Sequence, residues 1–450
     1  MIQTIKNINI NYLNLLDTYV IVGGFVRSGR KSANNLIFID LVDGSCHNGI
    51  QLILNNNSID IDKYKTIVLT GSSLKIKGLL VKPPSTSKQL CEINVSEILH
   101  FGQCESTYPL SKNKMSLEYL RNNIHLRPRT NVIGVVTRIR NNLSYATHKF
   151  FQENEFLYIH TPILTTNDTE GAGEMFRVTT NDNKQFFQTK DVYLTVSGQL
   201  DVENYACALS KVYTFGPTFR AEHSSTSRHL SEFWMIEPEV AFYELDDIMK
   251  LSEDYVKYCC KYILDNNKDD LEFLKQRIDK NCIDRIETAC NNDFIKITYD
   301  EAISKLIDSK HNFENKVSKD MDLNSEHEKY LCDEIYKKPV IIYNFPASIK
   351  AFYMHLNDDN RTVKAMDLIV PTVGELIGGS QREEDLDKLK NRMNDLKLDI
   401  NLYKNYLDLR RYGTIPHSGF GLGLERLCMF VTGLNIKDVI PYPRVYGNAY

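Results

Sequence analysis

No C-x-x-C pair occurs among the ten cysteines, and Cys259 and Cys260 are adjacent, spacings that suit neither a zinc ribbon nor a redox motif. They are expected to be reduced, mostly buried thiols of a cytoplasmic protein. No apolar run approaches the ~20 residues of a membrane span, so no membrane partner is expected. The start, MIQTIKNINI, has neither the apolar stretch of a signal peptide nor the arginine-rich pattern of a transit peptide. An excess of either charge is missing too: 54 Lys and Arg against 58 Asp and Glu leave a formal net charge of −4. A nucleic-acid binder usually advertises a basic domain, but a basic groove can hide in a balanced total, so charge is silent. Internal repeats, low-complexity tracts and regular βαβ alternation are also absent from the sequence pattern.

What is present divides by texture. At 450 residues the chain has room for two or three domains. TYVIVGGFVRSGR, LIFIDLVDG, GIQLIL, TIVLTG, LKIKGLLV and LCEINVSEIL alternate or run apolar at strand length, punctuated by Gly, Asn and Ser. Five or six strands in about 85 residues predict a small barrel, of which the OB-fold is the commonest nucleic-acid binder. Residues 1–104 are read as that domain, and residues 105–130, with Pro109 and Pro128, as a hinge linker. From residue 131 the pattern turns helical, then extended around Pro162, then strand-like in KVYTFGPTFRAE and FWMIEPEVAFY. Residues 245–335 read as a charge-laced helical insertion, after which PVIIYNFP and MDLIVP bring strands back. Residues 131–450 therefore predict a large antiparallel sheet with helices, and the whole is α+β.

Two segments carry chemistry. In FRAEHSSTSRHLSEFWMIEPE (219–239), two strand-like flanks bracket a polar loop dense in Arg, His and acids. Guanidinium groups suit bidentate contact with phosphate, so Arg220, Arg228 and His223 could cradle a nucleotide while Phe233 offers its ring to a base. The alternative is solvated decoration of a bare sheet. GFGLGLERLCMFVTGL (419–434) has G-x-G-x-G in place of the dinucleotide-binding G-x-G-x-x-G, so it argues against a Rossmann unit. It reads as a Gly-rich strand running into an amphipathic helix, with Arg426 at the helix start able to stack on a base.

These two segments and FLYIHTPIL (156–164) resemble motifs 2, 3 and 1 of the class II aminoacyl-tRNA synthetases, in order. TEGAGEMFRVTT (169–180), YLTVSGQLDVENYACALSKVYTFGPTFRAE (193–222) and GELIGGSQRE (374–383) look like the asparaginyl members of the aspartate, asparagine and lysine subgroup. The resemblance implies an OB-fold that reads the anticodon, with Phe38 as the stacking aromatic and Arg27 and Gln51 as polar neighbours. It implies a homodimer through motif 1, ending at Pro162. It also implies ATP-dependent activation of L-asparagine and transfer to tRNA(Asn).

Roles follow only where residues match the family's motifs. Arg220 would neutralise the α-phosphate of ATP, and Arg228 and Arg426 the leaving pyrophosphate. Phe233 would stack on adenine, Glu222 would take its amino group, and Gly423 belongs to the same ATP motif. Glu375, with Asp367 nearby, would hold Mg²⁺, a hard cation suited to carboxylate and phosphate oxygens; an ordinary solvated acid pair is the alternative. Glu170 would close over the amino acid, Ser197 and Gln199 would line its pocket, and Arg382 would read its side-chain oxygen. The aspartyl enzymes carry a lysine in Q-S-P-Q-L-x-K, and here that position holds Val202. Losing that cation makes room for an acceptor of the amide N–H groups, for which Glu203 is expected, directly or through water; a solvated helix residue is the alternative. An aspartyl or relaxed enzyme, a catalytically silent RNA-binding paralogue and an amidating asparagine synthetase are the competing readings.

Overall fold

Alternation of apolar side chains builds the first unit strand by strand. The structure, a computed structural model, describes residues 1–449 apart from 33–35, 56–65, 86, 88, 111–114, 170–174, 182–185, 188–190 and 224–228. Its contacts divide the chain into two units, residues 1–137 and 138–450. In the first, α1 (Ile5–Leu15) precedes β1 (Tyr19–Lys31), β2 (Leu36–Val42), β3 (Ile50–Asn55), β4 (Ser73–Val81) and β5 (Glu92–Gly102). These five strands close into a barrel in the order β1-β2-β3-β5-β4. Ile37, Ile39 and Leu41 of β2 fill the interior while Phe38 and Asp40 point outward, as the period of two requires. Opposite the Lys75–Ile76 and Lys77–Gly78 steps of β4, β5 carries an extra residue each time, Leu99 and Ser96, and these bulges bend β5.

Two readings of this unit need correction. TIVLTG, read as a strand, is a run of turns closed by Leu69 N–H to Thr66 O and Ser72 N–H to Leu69 O. Its apolar signal is real, because Ile67 is fully buried in the barrel core, but six residues are too few for periodicity to separate a plug from a strand. Residues 5–15, to which the sequence pattern assigned no element, form α1, started by the Thr4 cap and docked through Ile5 and Ile8. α2 (Leu117–Asn122) and α3 (Asn131–Glu153) follow.

The second unit is built on an eight-stranded sheet. In chain order its strands are β6 (Leu157–Tyr158), β10 (Lys211–Phe219), β11 (Glu232–Ala241), β12 (Ile295–Thr298), β13 (Val340–Pro346), β14 (Thr362–Val370), β15 (Gly374–Gln381) and β16 (His417–Gly423). Between β6 and β10 lie β7 (Leu164–Thr165), β8 (Arg177–Val178) and β9 (Val192–Leu194), which pair as β7-β9-β8, and then α4 (Gln199–Leu209). Across the large sheet the order is β12-β13-β14-β15-β16-β11-β10-β6, antiparallel except at the two ends.

α5 (Leu245–Asn266) lays a buried stripe from Leu245 through Ile248, Ser252, Tyr255, Cys259 and Ile263 against β14, β15 and β16. α6 (Lys268–Arg277) and α7 (Cys282–Asn291) pack beside it. α8 (Tyr299–Asp308) and α9 (Ser325–Lys329) complete the segment read as wholly helical. That reading missed β12, a four-residue strand whose short alternation is swamped by helical flanks. α10 (Leu386–Asp395) and α11 (Lys404–Arg411) precede β16, and α12 (Leu424–Thr432) stops at Gly433 in the left-handed region. No helix among the described residues is long and apolar enough to cross a membrane.

Candidate active site

The pleat of β11 decides which side chains meet the cavity. Phe233, Met235, Glu237 and Glu239 share one face, and all four line a cavity of two adjoining lobes. The smaller, about 110 Å³, is walled by Arg220, Glu222, His229, Phe233, Gly423 and Arg426. The larger, about 330 Å³, is walled by Ser197, Gln199, Glu237, Glu239, Lys350, Tyr353, Asp367 and Arg382. Arg220, Met235, Glu375 and Gly421 belong to both. Room for the lobes comes from β16, whose Gly423 and Gly419 stand opposite Met235 and Glu239. A Cβ on Gly419 would lie 1.9 Å from Glu239 Oε2, and one on Gly421 2.6 Å from Met235 Cε.

The small lobe is cationic and aromatic. Arg220 follows β10 directly, and its guanidinium lies 5.4 Å from the centre of the Phe233 ring. Glu222 Oε1 is 3.8 Å from Arg220, and Glu222 Oε2 is 3.7 Å from His229 Nε2. Arg426, in the first turn of α12, donates to the backbone carbonyl of Glu375 at 3.0 Å and to its Oε2 at 2.8 Å. Burial alone would raise the Glu375 carboxyl, but Arg426, with Lys350 and Arg220, brings it down to about 2. Asp367 is pushed the other way, to about 6, by burial, against the pull of Lys350 at 2.6 Å. Both carboxylates face the space over Gly378, where a Cβ would be 3.2 Å from Glu375 Oε1 and 3.7 Å from Asp367 Oδ1. This is a hard-oxygen pair already balanced by Lys350 and Arg426.

A pH experiment follows from Glu375. A carboxyl lowered from 4.5 to about 2 contributes stability that is complete above pH 4.5 and lost as the pH falls towards 2. Asp367 has the opposite sign, adding stability as pH falls from about 6 towards 3.8. The melting temperature of the unsubstituted protein should therefore fall more steeply between pH 5 and 3 than that of Glu375→Gln. Parallel curves would show that the pair with Arg426 contributes nothing.

The large lobe ends in a buried ionic cluster. Arg382, at the end of β15, grips Glu239 with two parallel bonds, Nε to Oε1 at 3.0 Å and Nη2 to Oε2 at 2.9 Å. Its remaining nitrogen Nη1 donates to Ser380 Oγ at 2.8 Å. Glu237 accepts from Ser197 Oγ and, at 2.9 Å, from the backbone N–H of Gly198.

The expected site residues fall into three groups. Arg220, Glu222, Phe233, Glu375, Gly423 and Arg426 line the small lobe, and Ser197, Gln199, Asp367 and Arg382 the large one. His223 packs its ring against Tyr446 at 4.9 Å and is not among the lining residues. Glu203 is fully buried behind the wall, its oxygens engaged by Gln199, Arg410 and His417, so it is neither a solvated helix residue nor at the lobe's surface. Val202, at the lysine position, packs with Ala206 and Val212. Glu170 and Arg228 lie outside the described residues. Sequence reasoning missed Glu237, Glu239 and Lys350. The signal was there for the first two: acids at alternate positions of an otherwise apolar strand, FWMIEPEVAF, are costly to bury without a task.

On the barrel, Phe38, Arg27 and Gln51 are all on the outer surface. Arg30 lies 5.0 Å over the Phe38 ring, Arg27 Nε is 2.6 Å from Asp40, and Gln51 donates to Glu92 at 2.8 Å.

Comparisons with known proteins identify the family. The family described as tRNA synthetases class II (D, K and N) matches residues 116–446. The asparagine–tRNA ligase of Vibrio parahaemolyticus is 50% identical over 96% of both chains. That of Pasteurella multocida is 51% identical over 96% of this chain and 95% of its own. Among solved structures, asparaginyl-tRNA synthetase from Pyrococcus horikoshii complexed with asparaginyl-adenylate superposes with a TM-score of 0.90 at 32% identity, covering 100% of this chain and 99% of that one.

Proposed function

Because the chain belongs to the class II tRNA synthetases of the aspartate, lysine and asparagine group, among the asparagine–tRNA ligases, we propose that its two lobes activate L-asparagine with ATP and load it onto tRNA(Asn). The asparagine carboxylate attacks the α-phosphate, pyrophosphate leaves, and the adenylate is passed to the 3′-terminal adenosine. A displacement of this kind needs positioning and charge neutralisation more than proton transfer. Arg220, on the wall common to both lobes, would neutralise the α-phosphate, and Arg426, on the wall of the small lobe, the departing pyrophosphate. Adenine would stack on Phe233 and Arg426, and Glu222, on the same wall, would take its amino group. Asp367 and Glu375 would hold Mg²⁺, a hard cation that would screen phosphate charge.

The observation that carries the amino-acid assignment is the Arg382–Glu239 pair at the end of the large lobe. A guanidinium offers donors to an amide carbonyl and a carboxylate accepts from an amide N–H. This pairing favours Glu239 over Glu203 as the acceptor. Pyrophosphate exchange measured with each of the twenty amino acids tests the reading. Asparagine should be activated with a kcat/KM roughly 10⁴-fold above that for aspartate. Comparable values would favour the aspartyl or relaxed enzyme and leave fold and chemistry standing.

Two further assignments rest on outward-facing apolar groups, exposed in the first case and half-buried in the second. Leu157, Tyr158, Ile163 and Leu164, in the segment read as motif 1, are all exposed and suit an isologous homodimer, which would sediment at twice the 51.9 kDa chain. Phe38, outward on β2, suits stacking on an anticodon base, worth roughly 1–3 kcal/mol. Phe38→Ala should therefore lower tRNA charging about tenfold or more while leaving pyrophosphate exchange unchanged. Equal loss in both assays would make Phe38 a structural residue.

A further inference from the structure

Behind the wall of the large lobe lies a buried carboxylate that does not line it. Glu203 is fully buried on α4. Its Oε1 accepts from Gln199 Nε2 at 3.0 Å and lies 4.0 Å from Arg382 Nε. Its Oε2 faces His417 Nε2 at 2.9 Å and Arg410 Nη2 at 3.3 Å. Arg410, itself buried, reaches on to Tyr406 OH at 3.0 Å and the Glu383 carbonyl at 2.9 Å. Two carboxylates, Glu203 and Glu239, thus stand among two guanidiniums, Arg382 and Arg410, and the imidazole of His417. The other charged groups of the lobe are engaged elsewhere, Lys350 with Asp367, Glu375 with Arg426, Arg220 beside Glu222, and Glu237 with Ser197 and Gly198.

We propose that Glu203 is a specificity-determining positioning residue, which balances Arg410 and Arg382 from behind the wall so that the lobe accepts a neutral amide and refuses a carboxylate. The proposal rests on the asparagine reading above. At buried separations of about 4 Å a unit charge is weakly screened, so removing one carboxylate changes what the lobe attracts even though no ligand touches it. Without Glu203, Glu239 alone faces two guanidiniums, and the surplus positive charge favours aspartate. Burial would raise the Glu203 carboxyl, but the His417 hydrogen bond and the charges of Arg410 and Arg382 outweigh it and hold it well below the ordinary range, so it is ionised at neutral pH. Glu203 thus explains why the buried Arg410 adds no net positive charge behind the lobe.

Exchange kinetics with asparagine and aspartate in four proteins test this. Glu203→Gln should lower the asparagine-to-aspartate ratio of kcat/KM on the order of 100-fold, through the amino-acid KM, with the KM for ATP unchanged. The double variant Glu203→Gln, Arg410→Gln restores the balance and should recover most of that ratio. Arg410→Gln alone leaves the lobe one positive charge short and should raise the ratio, which keeps the test decisive if Glu203→Gln does not fold. Equal losses for both amino acids, or a double variant worse than Glu203→Gln, would overturn the proposal and leave Glu203 a structural residue. Failure of the unsubstituted protein to exchange with asparagine would instead overturn the reading beneath it.

Discussion

Alanine at Arg220 or Arg426 is expected to lower asparagine-dependent pyrophosphate exchange by two to three orders of magnitude, the effect of removing one preorganised donor from a water-poor site. Both guanidiniums are held in place before any ligand arrives. Arg220 lies over Phe233 at the wall common to the two lobes, and Arg426 is pinned by two acceptors of Glu375. Neither has to be recruited when charge develops on the transferring phosphoryl group, so the loss should appear in kcat more than in the KM for asparagine. Filter binding of tRNA should be unchanged in both variants. Exchange within tenfold of the unsubstituted protein in either one would mean that motifs 2 and 3 are misassigned.

Glu239→Gln is expected to lower kcat/KM for asparagine by roughly 10²–10³ and to narrow its margin over aspartate. The substitution keeps the side chain's shape but removes the counter-charge that Arg382 grips with two bonds, and places an amide donor where an acceptor is needed. Burial already raises the Glu239 carboxyl above its ordinary value despite Arg382. Protonation on the acid side should therefore mimic the substitution, so the KM for asparagine climbs as pH falls in the unsubstituted protein and stays flat in the variant. Unchanged discrimination at neutral pH would remove Glu239 from amide recognition.

The chemistry-bearing segments were legible because phosphate and adenine dictate residue types at fixed offsets: FRAE after one strand, and alternate glycines running into a helix that opens with Glu425 and Arg426. The barrel was legible because β2 writes its two faces in plain alternation. Glu203 misled because a helix position four residues after Gln199 shares its face, and spacing alone does not say whether that face lines a cavity or backs it. The acids of FWMIEPEVAF signalled that Glu239 has a task, but its partner was not legible, since Arg382 lies far away in sequence and reaches it across β16. Short apolar runs remain ambiguous in principle: TIVLTG plugs a barrel and IKIT edges a sheet, and nothing within either segment distinguishes them.

The glycine stripe of β16 has a consequence for how the molecule is made. Glycine contributes little to strand formation, so β16 has few means of ordering itself before its neighbours hold it. Among the strands of the large sheet it is the last in chain order, yet it sits between β15 and β11 and joins the two halves. A ribosome must release it after all the others, and until it inserts, the β12–β15 half and the β11–β10–β6 half have no ladder between them. The gap it later fills is also the floor of both lobes. A partly assembled sheet therefore has nowhere to bind ATP, and nucleotide binding, which stabilises only the finished state, acts as a late clamp on the completed fold.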